Sequence, residues 1–181
     1  MKKSTVFRNL LKKKGVIIMP GSYDPLTNGH IDIIRRGLKV FENVVVAVLK
    51  NPAKTYLFEL EERLDILRHA FAKEKRIRVD AFSGLLVDYL RERRYTTVVR
   101  GLRAISDFEI EFQMALMNRK IEPKVETIFF VPSVEYSFLS SKLVKEIYQL
   151  GGVVKGMVPE RVDEMLKRKF HAGGRKESAA T

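Results

Sequence analysis

Residues 16–41 of the 181-residue chain read VIIMPGSYDPLTNGHIDIIRRGLKVF, and this stretch decides the fold. An apolar run ends at Met19 and is followed by seven turn-forming residues within ten positions. His30 then opens a segment with apolar residues at helical spacing, which predicts a helix from about His30 to Val40. A short buried strand, a tight loop and a helix in this order are typical of one βα unit.

The same alternation continues along the chain. Apolar segments predict further strands at 43–49, 77–81, 96–100 and 126–131, and the segments after them have helical spacing. One of these helices, SDFEIEFQMALMNRK, is predicted to begin with a capping box formed by Ser106 and Glu109. The pattern predicts an α/β fold, a Rossmann-like doubly wound five-stranded parallel sheet with helices on both faces.

In such sheets the ligand binds beyond the carboxyl ends of the strands, where the strand order reverses. The loops that follow the predicted strands are therefore the candidate binding loops, and they span 20–29, 50–57, 82–84, 100–105 and 131–139. Two of them carry cationic side chains, Lys142 follows the fifth closely, and His30 directly follows the first. We expect these groups to meet at one edge of the sheet.

The charge distribution argues against a nucleic-acid-binding domain. The net charge is +12, but residues 15–166 contribute only +2 of it. We therefore predict one domain over 15–170 between a basic extension at 1–14 and a tail at 171–181, both expected to be disordered. The chain has no cysteine, which fits a cytoplasmic location, and no apolar run long enough to span a bilayer.

His30 has a functional and a structural interpretation. At a helix N-terminus, the free N–H groups and the helix dipole favour an anion such as phosphate. An imidazole there can donate a hydrogen bond to a phosphoryl oxygen whose charge grows during transfer. The alternative is that His30 only caps or packs the helix.

Other candidates for phosphate contact also have two interpretations. Arg100 and Arg103 flank a glycine and can form a phosphate clamp, or remain solvated charges. The SSK segment that begins at Ser140 can be a helix N-cap or a phosphate cradle. Lys54 is a weak candidate. The helical spacing around Glu111 places this residue on a solvent-facing side of its helix.

The sequence offers phosphate binders but no obvious nucleophile, general base or metal-ligand set. Its three histidines are not spaced as ligand pairs, and it has no Walker or GxGxxG motif. Phosphoryl or nucleotidyl transfer needs little covalent help from a protein, since positioning and charge stabilisation carry most of the effect. The sequence therefore favours that reaction class.

Three motifs make a resemblance specific. TNGH at Thr27–His30 resembles the [T/H]xGH signature of nucleotidyltransferases, and VVRGLRAISDFEIEFQMALMNR and YSFLSSKLVKEI resemble the remaining motifs of bacterial phosphopantetheine adenylyltransferases. The resemblance covers residues 16 to about 170. It implies transfer of adenylate from ATP to 4′-phosphopantetheine, which gives dephospho-coenzyme A and pyrophosphate, with Mg²⁺ arriving with ATP. It also implies a homohexamer.

The resemblance implies a role for each matching residue. His30 is the implied catalytic residue. The implied acceptor-binding residues are Ser22, Lys54, Leu86 and Arg100. The implied ATP-binding residues are Ser22, Tyr23, His30, Gly101, Leu102, Arg103, Glu111, Tyr136, Ser137, Phe138, Leu139, Ser140, Ser141 and Lys142.

The chain departs from the family pattern at three positions. Ser22 replaces a usual Thr, Tyr23 a usual Phe, and Lys142 the third residue of a usual SSS. Lys142 is expected either to reach the triphosphate or to turn to solvent. Rival interpretations are a nicotinate-mononucleotide adenylyltransferase, a cytidylyltransferase, and a nucleic-acid-binding module that uses the basic tails. The resemblance implies no membrane partner and no nucleic-acid partner.

Overall fold

A computed structural model describes residues 15–103 and 105–173 of the chain. Five strands form one sheet with the order β3-β2-β1-β4-β5, and every neighbouring pair is parallel. The strands are β1 (Val16–Gly21), β2 (Asn43–Lys50), β3 (Ile77–Ser83), β4 (Thr97–Gly101) and β5 (Glu126–Phe130). The α/β fold with a five-stranded parallel sheet is thus confirmed.

Helices connect the strands and follow the last strand. They are α1 (Asn28–Val40), α2 (Leu60–Ala70), α3 (Leu86–Arg93), α4 (Ile105–Ile121), α5 (Ser141–Gln149) and α6 (Glu160–Gly173), with a short 3₁₀ turn at Val134–Tyr136. The chain adds β2 and β3 on one side of β1 and then returns to add β4 and β5 on the other. The strand order therefore reverses between β1 and β4, which is where a ligand is expected in this architecture.

The central strands are buried on both faces, so alternate residues feed two separate cores. Ile17 and Met19 of β1 pack with residues of α1, α2, α5 and α6 in the larger core. Ile18, between them, packs with residues of α3 in the smaller core. The continuous apolar run in β1 is thus explained by helices on both faces of the sheet.

Helix α1 packs directly on β1 at Gly37, which has no side chain. A Cβ added to Gly37 would stand 2.8 Å from the side chains of both Ile17 and Met19. Real Cβ atoms do not approach other atoms this closely, so the glycine permits the contact. This packing fixes the direction of α1 and hence the position of its N-terminus.

The strand ends and the start of α1 differ from the sequence predictions by one or two residues, and α4 and α6 differ as well. Helix α4 begins at Ile105, one residue before Ser106, so Ser106 is not the first non-helical residue that a capping box requires. Helix α6 continues to Gly173, three residues past the predicted end of the domain. The extension at 1–14 and residues 174–181 of the tail lie outside the described residues. Among the described helices, none combines the length and apolar content needed to cross a bilayer.

Candidate active site

A cavity of about 360 Å³ opens at the carboxyl ends of β1 and β4. Its walls come from the loop between β1 and α1, the start of α4, and the start of α5. Twelve of the site residues implied by the resemblance line it: Ser22, Tyr23, His30, Arg100, Gly101, Arg103, Glu111, Tyr136, Leu139, Ser140, Ser141 and Lys142. Segments more than 100 residues apart in sequence therefore meet at the predicted edge of the sheet.

His30 occupies the third position of α1 and completes a capping box with Thr27. The Thr27 backbone N–H donates to His30 Nδ1 at 3.0 Å, and the His30 backbone N–H donates to Thr27 Oγ1 at 3.3 Å. Because Nδ1 accepts a hydrogen bond, the proton of the neutral ring lies on Nε2. The capping interaction therefore leaves an Nε2–H donor for a ligand, so His30 both caps the helix and lines the cavity.

The surroundings keep His30 uncharged. Burial, with the positive charges of Arg103 and Arg100, lowers the pKa of His30 from 6.5 to about 4. The Tyr23 ring packs against the imidazole edge at a centroid distance of 5.1 Å, and its hydroxyl donates to the Met19 carbonyl at 2.8 Å. Tyr23 thus fixes one side of the His30 ring, and the neutral imidazole is available as a hydrogen-bond donor near neutral pH.

Arg100 and Glu111 form a bidentate ion pair across the cavity wall. Arg100 Nε donates to Glu111 Oε2 at 2.7 Å and Nη2 donates to Oε1 at 2.5 Å, while Nη1 donates to the Pro20 carbonyl. Burial opposes the charge of Arg100, but Glu111 outweighs it, so the pKa of Arg100 is raised. The expectation that Glu111 faces solvent is wrong, because a tertiary ion pair draws its carboxylate into the site.

Arg103 is held by a second carboxylate. Its Nε and Nη2 donate to Asp107 at 2.9 and 3.1 Å, and its Nη1 donates to the Leu139 carbonyl at 2.8 Å. The guanidinium therefore connects the start of α4 to the segment that precedes α5. Both arginines line one cavity, as the clamp hypothesis requires, and both are oriented before any ligand binds.

The N-terminus of α5 forms the opposite wall. Ser140 is its N-cap, and the side-chain oxygen accepts from the Leu143 N–H at 3.0 Å, so the N-cap interpretation of this serine is confirmed. The Ser141 hydroxyl donates to the Pro25 carbonyl at 2.7 Å and ties α5 to the loop before α1. Lys142 is largely exposed, and its Nζ lies 3.7 Å from Glu146 Oε1.

Five residues implied by the resemblance do not line this cavity: Lys54, Leu86, Leu102, Ser137 and Phe138. Lys54 lies in the exposed loop after β2, with its Nζ 5.7 Å from the centre of the Tyr56 ring. Leu86 packs against the smaller core. Lys54 and Leu86 follow β2 and β3, so they lie toward the β2–β3 side of the sheet, whereas the cavity lies between β1 and β4.

Comparisons with known proteins agree with this geometry. The family model described as cytidylyltransferase-like matches residues 18–147. A phosphopantetheine adenylyltransferase of Dictyoglomus turgidum is 55% identical over 153 residues, which are 84% of this chain and 96% of the relative. One of Carboxydothermus hydrogenoformans is 52% identical, over 88% of this chain and 98% of the relative. This chain belongs to the phosphopantetheine adenylyltransferase family. It is accordingly a transferase of the nucleotidyltransferase class.

A solved structure supports the fold of this phosphopantetheine adenylyltransferase family member. The nicotinic acid mononucleotide adenylyltransferase of Plasmodium falciparum, solved with NaAD, superimposes with a TM-score of 0.61 over 87% of this chain and 96% of the other. The sequence identity is 15%, so this likeness concerns the fold alone.

Two carboxylates that hold loops around the cavity in this phosphopantetheine adenylyltransferase family member, Asp24 and Asp32, were not predicted from the sequence. Asp24 is buried, and its carboxylate accepts the backbone N–H groups of Leu57 and Phe58 at 3.0 and 2.8 Å and pairs with Lys145 at 3.0 Å. Asp32 accepts from the Ser133 N–H at 2.8 Å. The sequence showed only a carboxylate on each side of the TNGH motif, because their partners lie 33 to 121 residues away.

Proposed function

We propose that this chain transfers adenylate from ATP to 4′-phosphopantetheine, giving dephospho-coenzyme A and pyrophosphate. The observation that carries the proposal is a neutral His30 whose Nε2–H is free to donate, in a cavity that two arginines also line. The names of the relatives identify the acceptor. Neutral donors and fixed cations suit a reaction in which negative charge develops on a phosphoryl group.

The reaction needs no nucleophile or base from the protein. An oxygen of the phosphopantetheine phosphate attacks the α-phosphorus of ATP and forms the new P–O bond. The bond from the α-phosphorus to its bridging oxygen breaks, and its electron pair leaves with pyrophosphate. A phosphate dianion needs no deprotonation, which accounts for the absence of a candidate base beside His30.

His30 supplies its Nε2–H to an oxygen of the α-phosphoryl group, where the charge is largest in the transition state. The capping box with Thr27 keeps the ring in place, so little reorganisation is needed during the reaction. Ser22 lies beside the same cavity and is proposed to contact both substrates. The free N–H groups at the start of α5 favour the β- and γ-phosphates.

We propose that Mg²⁺ enters with ATP. In the described part of the chain, no three carboxylate or imidazole side chains come together as a metal site. The two carboxylates that line the cavity, Asp107 and Glu111, are both held by arginines. Mg²⁺ commonly keeps several waters and binds through substrate phosphates, and the available residues fit that mode of binding.

We also propose that copies of this chain assemble through α4, consistent with the hexamer expected from the resemblance. Seven large apolar side chains of α4 are 43% exposed or more, among them Ile110 at 66% and Met117 at 57%. A helix with apolar residues all around is normally buried, and here one part of it contacts β5 and α3. A second copy of the chain is the proposed cover for the remainder.

A substrate panel tests the proposed reaction. Pyrophosphate release is measured from ATP with phosphopantetheine, from ATP with nicotinate mononucleotide, and from CTP with a cytidylyltransferase acceptor. Only the first pair is expected to sustain turnover. Release with nicotinate mononucleotide alone would reject the proposal in favour of the related enzyme. Tight, strongly salt-dependent binding of nucleic acid would instead favour the module that uses the basic tails. A cytoplasmic location stays a prediction.

A further inference from the structure

Arg63 is a charged side chain buried behind the active-site loop. It lies on α2, is 1% exposed, and is the largest fully buried side chain among the described residues. Its Nη1 donates to the Ser22 carbonyl at 2.8 Å and to the Leu49 carbonyl at 3.1 Å. Its guanidinium carbon lies 4.0 Å from the centre of the Tyr56 ring. These contacts join the ends of β1 and β2.

The Arg63 charge has no carboxylate partner among the described residues, and its buried Nε has no hydrogen-bond acceptor there. Asp24, the other fully buried charged side chain in the described range, pairs with Lys145. Moving an unpaired cation out of water is energetically unfavourable, and an arginine cannot avoid this by losing its proton. Two carbonyls and the Tyr56 ring compensate part of this cost, and an anion that arrives during function would add the opposite charge.

Arg63 does not itself line the cavity, but its position behind the active-site loop favours one of the two substrates as the source of this anion. Most of the residues implied for ATP lie on the β4 and α5 side of the cavity. Arg63 lies on the opposite side of Ser22, at the end of β2, where the exposed loop with Lys54 begins. The ring of Tyr56 in that loop contacts both cations, with Lys54 Nζ at 5.7 Å. This is the side on which the resemblance places the acceptor substrate.

We infer that Arg63 is a positioning residue for the acceptor: it fixes the Ser22 backbone and Tyr56 and provides a buried positive charge for the acceptor's phosphate. This inference rests on the proposed function. The hydrogen bond from Arg63 also holds the turn at Tyr23, a non-glycine residue with a left-handed φ of 50°. Since the peptide is trans, the Tyr23 N–H points away from the carbonyl that Arg63 holds.

A cycle of ligand and side-chain changes tests the inference. Calorimetry measures the Kd of phosphopantetheine and of pantetheine, which lacks the phosphate, for wild type and Arg63→Met. The Kd of pantetheine divided by the Kd of phosphopantetheine gives the contribution of the phosphate to affinity. We expect this ratio to fall by roughly tenfold in R63M, as for the loss of one charged partner, while the Kd of ATP changes by less than about twofold.

Arg68→Met is the matched control, because Arg68 is an exposed arginine on the same helix. Arg68→Met should leave the ratio of the two Kd values unchanged. Arg63→Lys keeps the charge and should keep the ratio close to that of wild type. A ratio in folded R63M equal to that of wild type would overturn the inference. Equal losses for ATP and phosphopantetheine would overturn it too, since they indicate general structural support.

A measurement on wild type keeps the test decisive if R63M does not fold. The buried Arg63 Nε–H is followed by ¹H–¹⁵N NMR while phosphopantetheine or pantetheine is added, with R63K used to assign the resonance. We expect a shift with phosphopantetheine only. Identical responses to the two ligands would overturn the inference. If wild type shows no adenylyl transfer to phosphopantetheine, the proposed function has failed, and that result is separate from the Arg63 comparison.

Discussion

The imidazole of His30 receives its hydrogen bond from the backbone of the loop that precedes it, so its tautomer is set by local structure. We predict that ¹H–¹⁵N correlation spectra of the free enzyme show a neutral ring with the proton on Nε2 at pH 6. The reason is that burial and two nearby arginines lower its pKa to about 4. An imidazolium spectrum at pH 6 would contradict this electrostatic account.

The same pKa shift predicts how stability depends on pH. Between pH 6.5 and about 4, the unfolded chain binds a proton at this histidine that the folded chain does not. His30 therefore favours unfolding progressively as the pH falls through this range, and contributes no pH dependence above it. Urea unfolding of wild type and His30→Gln across this range isolates the effect.

Replacement of His30 tests its catalytic role. We expect His30→Ala to lower kcat by about 10²–10³, the usual cost of losing one transition-state hydrogen-bond donor. His69→Ala is the control, because His69 is exposed on α2 and is not among the described residues that line the cavity. A His30→Ala enzyme with near-normal kcat would remove His30 from the mechanism.

The sequence predicts the structural role of a single residue well when that role depends on a local interaction. Ser140 was recognisable as an N-cap because a cap bonds only three residues ahead. Glu111 was expected to face solvent because helical spacing contains no information about Arg100 on another element. The capping box at Ser106 failed for a related reason, since a capping motif indicates a helix start without fixing it to one residue.

At the scale of elements, Asp24 joins three segments that carry the site. Its carboxylate connects the loop before α1 to the loop before α2 and to α5. Such a carboxylate is not recognisable from sequence, since it looks like an ordinary turn residue before Pro25. The order of strands and helices was predictable because each depends on local periodicity. The hydrogen bonds and ion pair of Asp24 depend instead on segments that only the complete fold brings together.

We predict that Asp24→Ala lowers the free energy of unfolding by about 3 kcal/mol, because it leaves a partly buried lysine and two backbone N–H groups without their acceptor. Urea denaturation followed by circular dichroism measures the change. Asp65→Ala is the matched control, since Asp65 is exposed and pairs with Arg161 at the surface. If both variants lose the same small amount, Asp24 does not hold the segments together.

At the scale of the whole molecule, the apolar strands predicted a sheet covered on both faces, and two cores confirm it. Helix α4 has apolar residues all around and was predicted only as a helix. A single chain does not explain the exposed apolar side chains of α4, because helical periodicity contains no information about contacts with another molecule.

Replacement on α4 tests assembly through this helix. We expect Met117→Glu to reduce the molar mass measured by light scattering after gel filtration, since it would bury a charge in the proposed contact. Val40→Glu is the control, because Val40 is a similarly exposed apolar residue on α1. A Met117→Glu protein with the molar mass of wild type would place the contact elsewhere, and a wild-type monomer would reject assembly altogether.

One isotope experiment tests the central claim most directly. The enzyme is given MgATP and phosphopantetheine labelled with ¹⁸O in its phosphate, and the products are examined by ³¹P NMR and mass spectrometry. Direct attack by the acceptor phosphate predicts dephospho-coenzyme A with ¹⁸O in the bridge to the adenylate, together with unlabelled pyrophosphate. The account is contradicted if no dephospho-coenzyme A forms, or if the label is found in pyrophosphate.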